Sequence, residues 1–128
     1  MTFPLFSALF AMIAGLLHVY IFVLESVRWR HPSTWRKFGI TSQEHADILR
    51  PMAFNQGFYN LFLAAGVIVG LSLSGTLVGY GMVVMALAVM VLAAVVLVFT
   101  NRALWAGALL QGLPPLVALV TAPLLTQA

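Results

Sequence analysis

Asn55-Gln56-Gly57-Phe58-Tyr59-Asn60, running straight into the uncharged apolar stretch Leu61 to Leu71, is the segment on which the reading of this chain turns. Three amides and a phenol occupy the first turns of a helix whose remainder is suited to hydrocarbon. At about 100° per residue, Asn55, Tyr59, Gln56 and Asn60 fall near 0°, 40°, 100° and 140°, which makes one continuous polar face. Acyl chains cannot satisfy such a face, so the expectation is that other parts of the chain do.

The wider composition agrees with a membrane setting. The 128 residues are 62% hydrophobic and 7% charged, with a mean hydropathy of +1.06, whereas soluble domains carry roughly 25% charged residues. A membrane span needs about 20 apolar residues, so four spans and one substantial loop account for residues 1–128 as a single membrane domain. The chain has no cysteine, which excludes thiol chemistry.

The predicted spans cover about residues 4–27, 52–73, 77–99 and 103–125. No Lys or Arg precedes Arg28, and the first apolar run is too long for a signal-peptide core, so the first span is expected to be retained. His18 and Glu25 interrupt it seven residues apart, on one face of an α-helix, with Phe22 and Trp29 on the same stripe and Arg28 one turn beyond Glu25. The loop over 28–51 holds Thr41 three residues before Glu44, a capping-box spacing that predicts a short helix over about 42–49. Trp35 and Phe38 beside Arg36 and Lys37 suggest a segment lying in the headgroup layer.

Pro51 is expected to open the second span, because a first helical turn tolerates its missing N–H. Gly66, Gly70 and Ser74 make a small-residue stripe suited to close helix contact, including contact with a second copy of the chain. The third span is apolar all round and reads as structural. In the fourth, Ala103, Gly107 and Gln111 share a face, and Pro114-Pro115 is expected to kink or break the helix.

Charge supplies the predicted orientation. Arg28, Arg30, Arg36, Lys37 and Arg50 border the first loop, Arg102 lies in the third, and the ends and the second turn carry no Lys or Arg. The positive-inside rule then places the first and third loops in the cytoplasm and both termini outside. The expected setting is a bacterial cytoplasmic (inner) membrane, and the charges read as topology signals rather than as a nucleic-acid surface.

Counting about 1.5 Å per residue from the loop side puts Glu25 and Asn55 a few residues deep. His18, Asn60 and Gln111 come out at about 12–15 Å, with Tyr59 between the two layers. This predicts a polar pocket formed by the first, second and fourth spans as mutual neighbours. His18 and Glu25 are the candidate catalytic proton carriers, and Asn55, Gln56, Tyr59, Asn60, Gln111 and Trp29 the candidate ligand-binding residues. A buried charge at a helix centre costs about 2.5–3.5 kcal/mol on insertion scales, so intramembrane His and Glu point to function by default. The bland alternatives are amides acting as interhelical glue, an i,i+3 pair of Glu25 with Arg28, and Tyr59 and Trp29 as interfacial anchors. No metal is expected, since His18 and Glu25 alone are too few ligands, and a single membrane-embedded histidine argues against bis-histidine haem. No cofactor is expected.

Three segments, His18-Val19-Tyr20-Ile21-Phe22-Val23-Leu24-Glu25 with Trp29, Asn55 through Gly66, and Gln111-Gly112-Leu113-Pro114, resemble a family of small bacterial and fungal integral membrane proteins, the domain of unknown function 1304. The resemblance covers nearly the whole chain. It implies a four-helix membrane protein and implies no activity.

The functional expectation is therefore binding or transport of a small molecule or lipid in an intramembrane polar pocket on the cytoplasmic side. The alternatives are an intramembrane enzyme acting on an amphipathic lipid by His18/Glu25 proton shuttling, and a structural or assembly subunit docking through Gly66 and Gly70.

Overall fold

The computed structural model describes residues 1–126. Among them the chain is helical throughout, with no strand. Helix α1 (Leu5–Phe22) runs directly into a π-helical turn (Val23–Val27). A short α2 (Pro32–Trp35) and a 3-10 turn (Arg36–Phe38) follow, then α3 (Gln43–Ser72) and α4 (Leu77–Thr100). A second 3-10 turn (Arg102–Leu104) leads into α5 (Trp105–Thr126). Four of these helical segments are long and apolar enough to cross a membrane.

The four long helices form a ring in which α1 packs on α3, α3 on α4, α4 on α5 and α5 back on α1. Each long helix packs on the next one along the chain, which makes this an up-and-down bundle. The second and fourth spans thus face each other across the bundle. They are not direct neighbours, as the sequence reading supposed, although α1 touches both.

The two ends of the bundle are built differently. At the end carrying the chain termini, small and branched residues interlock: Ala11 and Ala14 from α1, Val67 from α3, Val83 and Leu87 from α4, and Ala118 from α5. Ser7 and Thr121 add a hydroxyl hydrogen bond of 2.8 Å between α1 and α5. Gly70 lets α3 approach α4 so closely that an added Cβ would lie 2.6 Å from Val83 and 2.9 Å from the Gly79 carbonyl. The stripe of Gly66 and Gly70, expected as a surface for a second copy, is therefore turned inward against α4.

The loop end has a separate small core of Trp29, Trp35, Ala46 and Ala53, flanked by Phe38, Ile40 and Leu49. Trp35 is folded into this core at 3% exposure. The core can form because α3 does not begin at Pro51. The expected short helix over 42–49 and the expected second span are one continuous helix of 30 residues, with Pro51 inside it. At about 1.5 Å per residue it is roughly 45 Å long, against about 30 Å of hydrocarbon. It is thus longer than one crossing requires, and Pro51 leaves one carbonyl of its early turns without an intrahelical donor. The helix is capped by Ser42, whose side chain accepts from the His45 amide at 3.2 Å, and not by Thr41. Gly39, at a φ of 81°, turns the chain between the 3-10 turn and this cap in a conformation open to glycine.

The fourth span also stays whole. Pro114 and Pro115 lie within continuous α5 and do not break it.

Candidate functional site

A cavity of about 520 Å³ lies in the half of the bundle nearer the loop. All four long helices wall it, and the 3-10 turn carrying Lys37 and Phe38 borders it. The volume is within the roughly 300–1,000 Å³ of small-molecule pockets. Its position follows from side-chain size. The termini end is filled by the interlocked core described above, whereas here the second 3-10 turn presents Ala103 and α5 presents Ala106 and Gly107. A Cβ added to Gly107 would meet no atom within 4 Å.

Glu25 is the most buried polar group of the wall, at 8% exposure. It sits in the π turn, where the Arg28 amide bonds the Val23 carbonyl at 2.8 Å, an i→i+5 contact. A π turn fits one more residue into the helix than an α turn would, and such turns often mark functional positions. It alters the angular spacing between His18 and Glu25 that an uninterrupted α-helix would impose. The turn is seated against α3 at Gly57, whose missing side chain leaves room for Ser26, and the Ser26 hydroxyl donates to the Phe54 carbonyl at 2.7 Å.

Asn60 meets Glu25 from α3. Its Nδ2 donates to Glu25 Oε1 at 2.9 Å and to the Gln56 carbonyl at 3.1 Å. Both partners are acceptors, so the amide nitrogen, and not its oxygen, must face them. Asn60 Oδ1 and Glu25 Oε2 are left as acceptors at the cavity wall. Gln56 and Gln111 complete the polar lining among the residues singled out from the sequence. The hydrogen-bond partner of Glu25 is thus Asn60, while Arg28 is exposed beyond it.

The other four candidates are not on this wall. His18, at 1% exposure, is packed inside the bundle with Nδ1 2.8 Å from the Ala14 carbonyl one turn back. A carbonyl only accepts, so Nδ1 carries the proton. Trp29 is in the loop core, its Nε1 donating to the Ala46 carbonyl at 2.8 Å, and its ring lies 5.3 Å from that of Phe38. Asn55 and Tyr59 face outward, Tyr59 with 65% of its surface exposed. The polar face of the second span is therefore divided, with Gln56 and Asn60 turned to the cavity and Asn55 and Tyr59 turned away.

Two cavity residues carry chemistry that the sequence reading did not assign to a pocket. Lys37 Nζ donates to the Tyr20 hydroxyl at 3.1 Å and lies 5.8 Å from the centre of its ring. Both line the cavity. They are 17 residues apart and come together only because the first loop folds back over α1, a contact with no local signature.

Among the described residues no cluster of three or more His, Cys, Asp or Glu could hold a metal ion. What the wall can do is accept hydrogen bonds at Glu25 and Asn60, exchange them at Gln56 and Gln111, and place one ammonium group, Lys37, at the loop side.

Fold and cavity together define a small multi-pass helical membrane protein with a partly polar interior. The family model described as protein of unknown function (DUF1304) matches residues 12–122, and the chain belongs to that family. No curated protein and no solved structure matches it.

Proposed function

We propose that this protein binds a small amphipathic molecule in the loop-end cavity and acts as a membrane binding protein or carrier. The observation that supports this best is the pairing of Glu25 with Asn60 on the wall of a cavity of about 520 Å³. Interhelical glue needs no such space. Amides that only tie helices together would close on each other, whereas Gln56 and Gln111 line the cavity together with Glu25 and Asn60. The charge distribution supports the orientation. All six Lys and Arg flank the loop end, so that end is cytoplasmic, both termini are outside, and the cavity opens to the cytoplasmic half of a bacterial inner membrane. The proton-shuttle reading gains less from the geometry, because His18 is off the cavity wall with its Nδ1 proton committed to a backbone carbonyl.

The test is native mass spectrometry with lipid extraction on the wild type and on Gly107→Phe. Gly107 faces open space at the cavity, so the new ring fills the cavity and leaves the packed helix contacts alone. The expected result is a small molecule that co-purifies with the wild type and is missing from the variant. Equal recovery from both proteins would remove the cavity from consideration.

A further inference from the structure

The donor and acceptor inventory of the cavity wall narrows the class of molecule it takes. Asn60 uses its amide nitrogen on Glu25 and on the Gln56 carbonyl, so what it and Glu25 offer inward is acceptor oxygen. The fourth span adds to this. Pro114 and Pro115 have no N–H to give, and the carbonyls four residues earlier belong to Leu110 and Gln111, both cavity residues. Within a membrane such freed carbonyls find partners in neighbouring groups, in ordered water or in a ligand. Away from Lys37 and Tyr20, whose ammonium and hydroxyl are donors, the wall is therefore richer in acceptors than in donors, except at Gln56 and Gln111, whose amides can supply either.

Charge narrows the class further. A cationic head could approach the Glu25 carboxyl only on a wall that also carries the Lys37 ammonium. An anionic head could pair with Lys37, but it has acceptors only and no hydrogen to give the Glu25 carboxyl and the Asn60 amide oxygen on the same wall. A neutral polyol head meets neither difficulty, since each hydroxyl donates once and can accept from Gln56 or Gln111. The rest of the lining is aliphatic, with Leu17, Ile21, Leu24, Leu97 and Leu110 as its larger members, and suits one hydrocarbon chain.

We infer that the cavity takes a neutral, hydroxyl-bearing single-chain amphiphile of the monoacylglycerol kind, its hydroxyls donating to the Glu25–Asn60 pair and its chain lying along the leucine-rich wall. This rests on the cavity being a binding site, as proposed above. Lys37, held by Tyr20 at the same wall, is then a selectivity element that disfavours amine-headed chains.

The experiment uses the full chain in phosphatidylcholine liposomes and a photoreactive diazirine analogue of glyceryl monododecanoate, with crosslinked peptides read by mass spectrometry. Unlabelled glyceryl monododecanoate, dodecanoate and dodecylamine compete at equal chain length. The expected result is crosslinking to peptides of α1 and α5, with the glyceride competing at about tenfold lower concentration than either charged compound, as one or two hydrogen bonds would produce. Glu25→Leu is expected to keep crosslinking and to bring the three competitors within about threefold of one another. Gly107→Phe, or Gly107→Leu should the phenylalanine variant fail to fold, is expected to abolish crosslinking. Equal competition by all three compounds on the wild type would overturn the assignment of the head group and leave the cavity reading standing. Crosslinking that survives both Gly107 variants, or is absent from the wild type, would overturn the cavity reading with it.

Discussion

Asn60, in the second span, donates its side-chain amide to the Glu25 carboxyl at 2.9 Å across the interface between the first two membrane helices. Neither residue is satisfied by its own helix alone. Replacing Asn60 with Leu leaves a buried carboxyl oxygen without its donor, which costs about 1–3 kcal/mol. Replacing Glu25 with Leu removes the buried carboxyl and leaves Asn60 its bond to the Gln56 carbonyl. Thermal unfolding in one detergent is expected to rank Asn60→Leu below Glu25→Leu in stability. The reverse order would mean that the pair is not what holds Glu25 in place.

The π turn depends on a missing side chain. A Cβ on Gly57 would overlap Ser26, and small-to-large changes at packed sites cost about 1–3 kcal/mol. Gly57→Ala should destabilise the protein by that order, and Ser26→Ala should recover part of the loss. A double-mutant cycle measures the coupling, and strictly additive effects would show that the two residues do not meet as described.

Two glycines of the fourth span should respond in opposite directions. Gly107 faces open space, whereas a Cβ on Gly112 would lie 2.6 Å from Ala94 Cβ. Alanine is favoured over glycine inside a helix by roughly 0.5–1 kcal/mol. Gly107→Ala is expected to raise the unfolding temperature and Gly112→Ala to lower it, both read by melting curves of the purified protein. A fall at Gly107 would place its face against another element.

The two tryptophans of the loop core differ in one atom's fate. Trp29 Nε1 donates to the Ala46 carbonyl, and Trp35 Nε1 is buried without a partner among the described residues. Trp29→Phe loses a hydrogen bond of about 1 kcal/mol, while Trp35→Phe removes an unpaired donor. With similar ring area lost at both positions, Trp29→Phe should be the more damaging of the two in a denaturation series. Equal losses would point to packing alone.

Four apolar helices, the one-sided distribution of Lys and Arg, and the clustering of amides early in the second span were all legible from composition and spacing, because hydropathy and charge are properties of short segments that add along the chain. Gln56, Asn60, Gln111 and Glu25 were singled out as polar groups that hydrocarbon cannot satisfy, and the fold brings them to one cavity. What spacing could not deliver was rotation about the helix axes. The π turn at Val23–Val27, permitted by Gly57 on a helix 30 residues away, ended the α-helical register on which grouping His18 with Glu25 relied. The continuation of α3 through Pro51 goes with a loop core in which Trp29 and Trp35 cluster with Ala46 and Ala53, residues that no local pattern links. Lys37 reached Tyr20 by the same fold-back. The sequence by itself determined which segments are helical and suited to a membrane. Which side chains share an interior was decided by tertiary packing, since contacts between distant residues set the angle each helix presents to its neighbours.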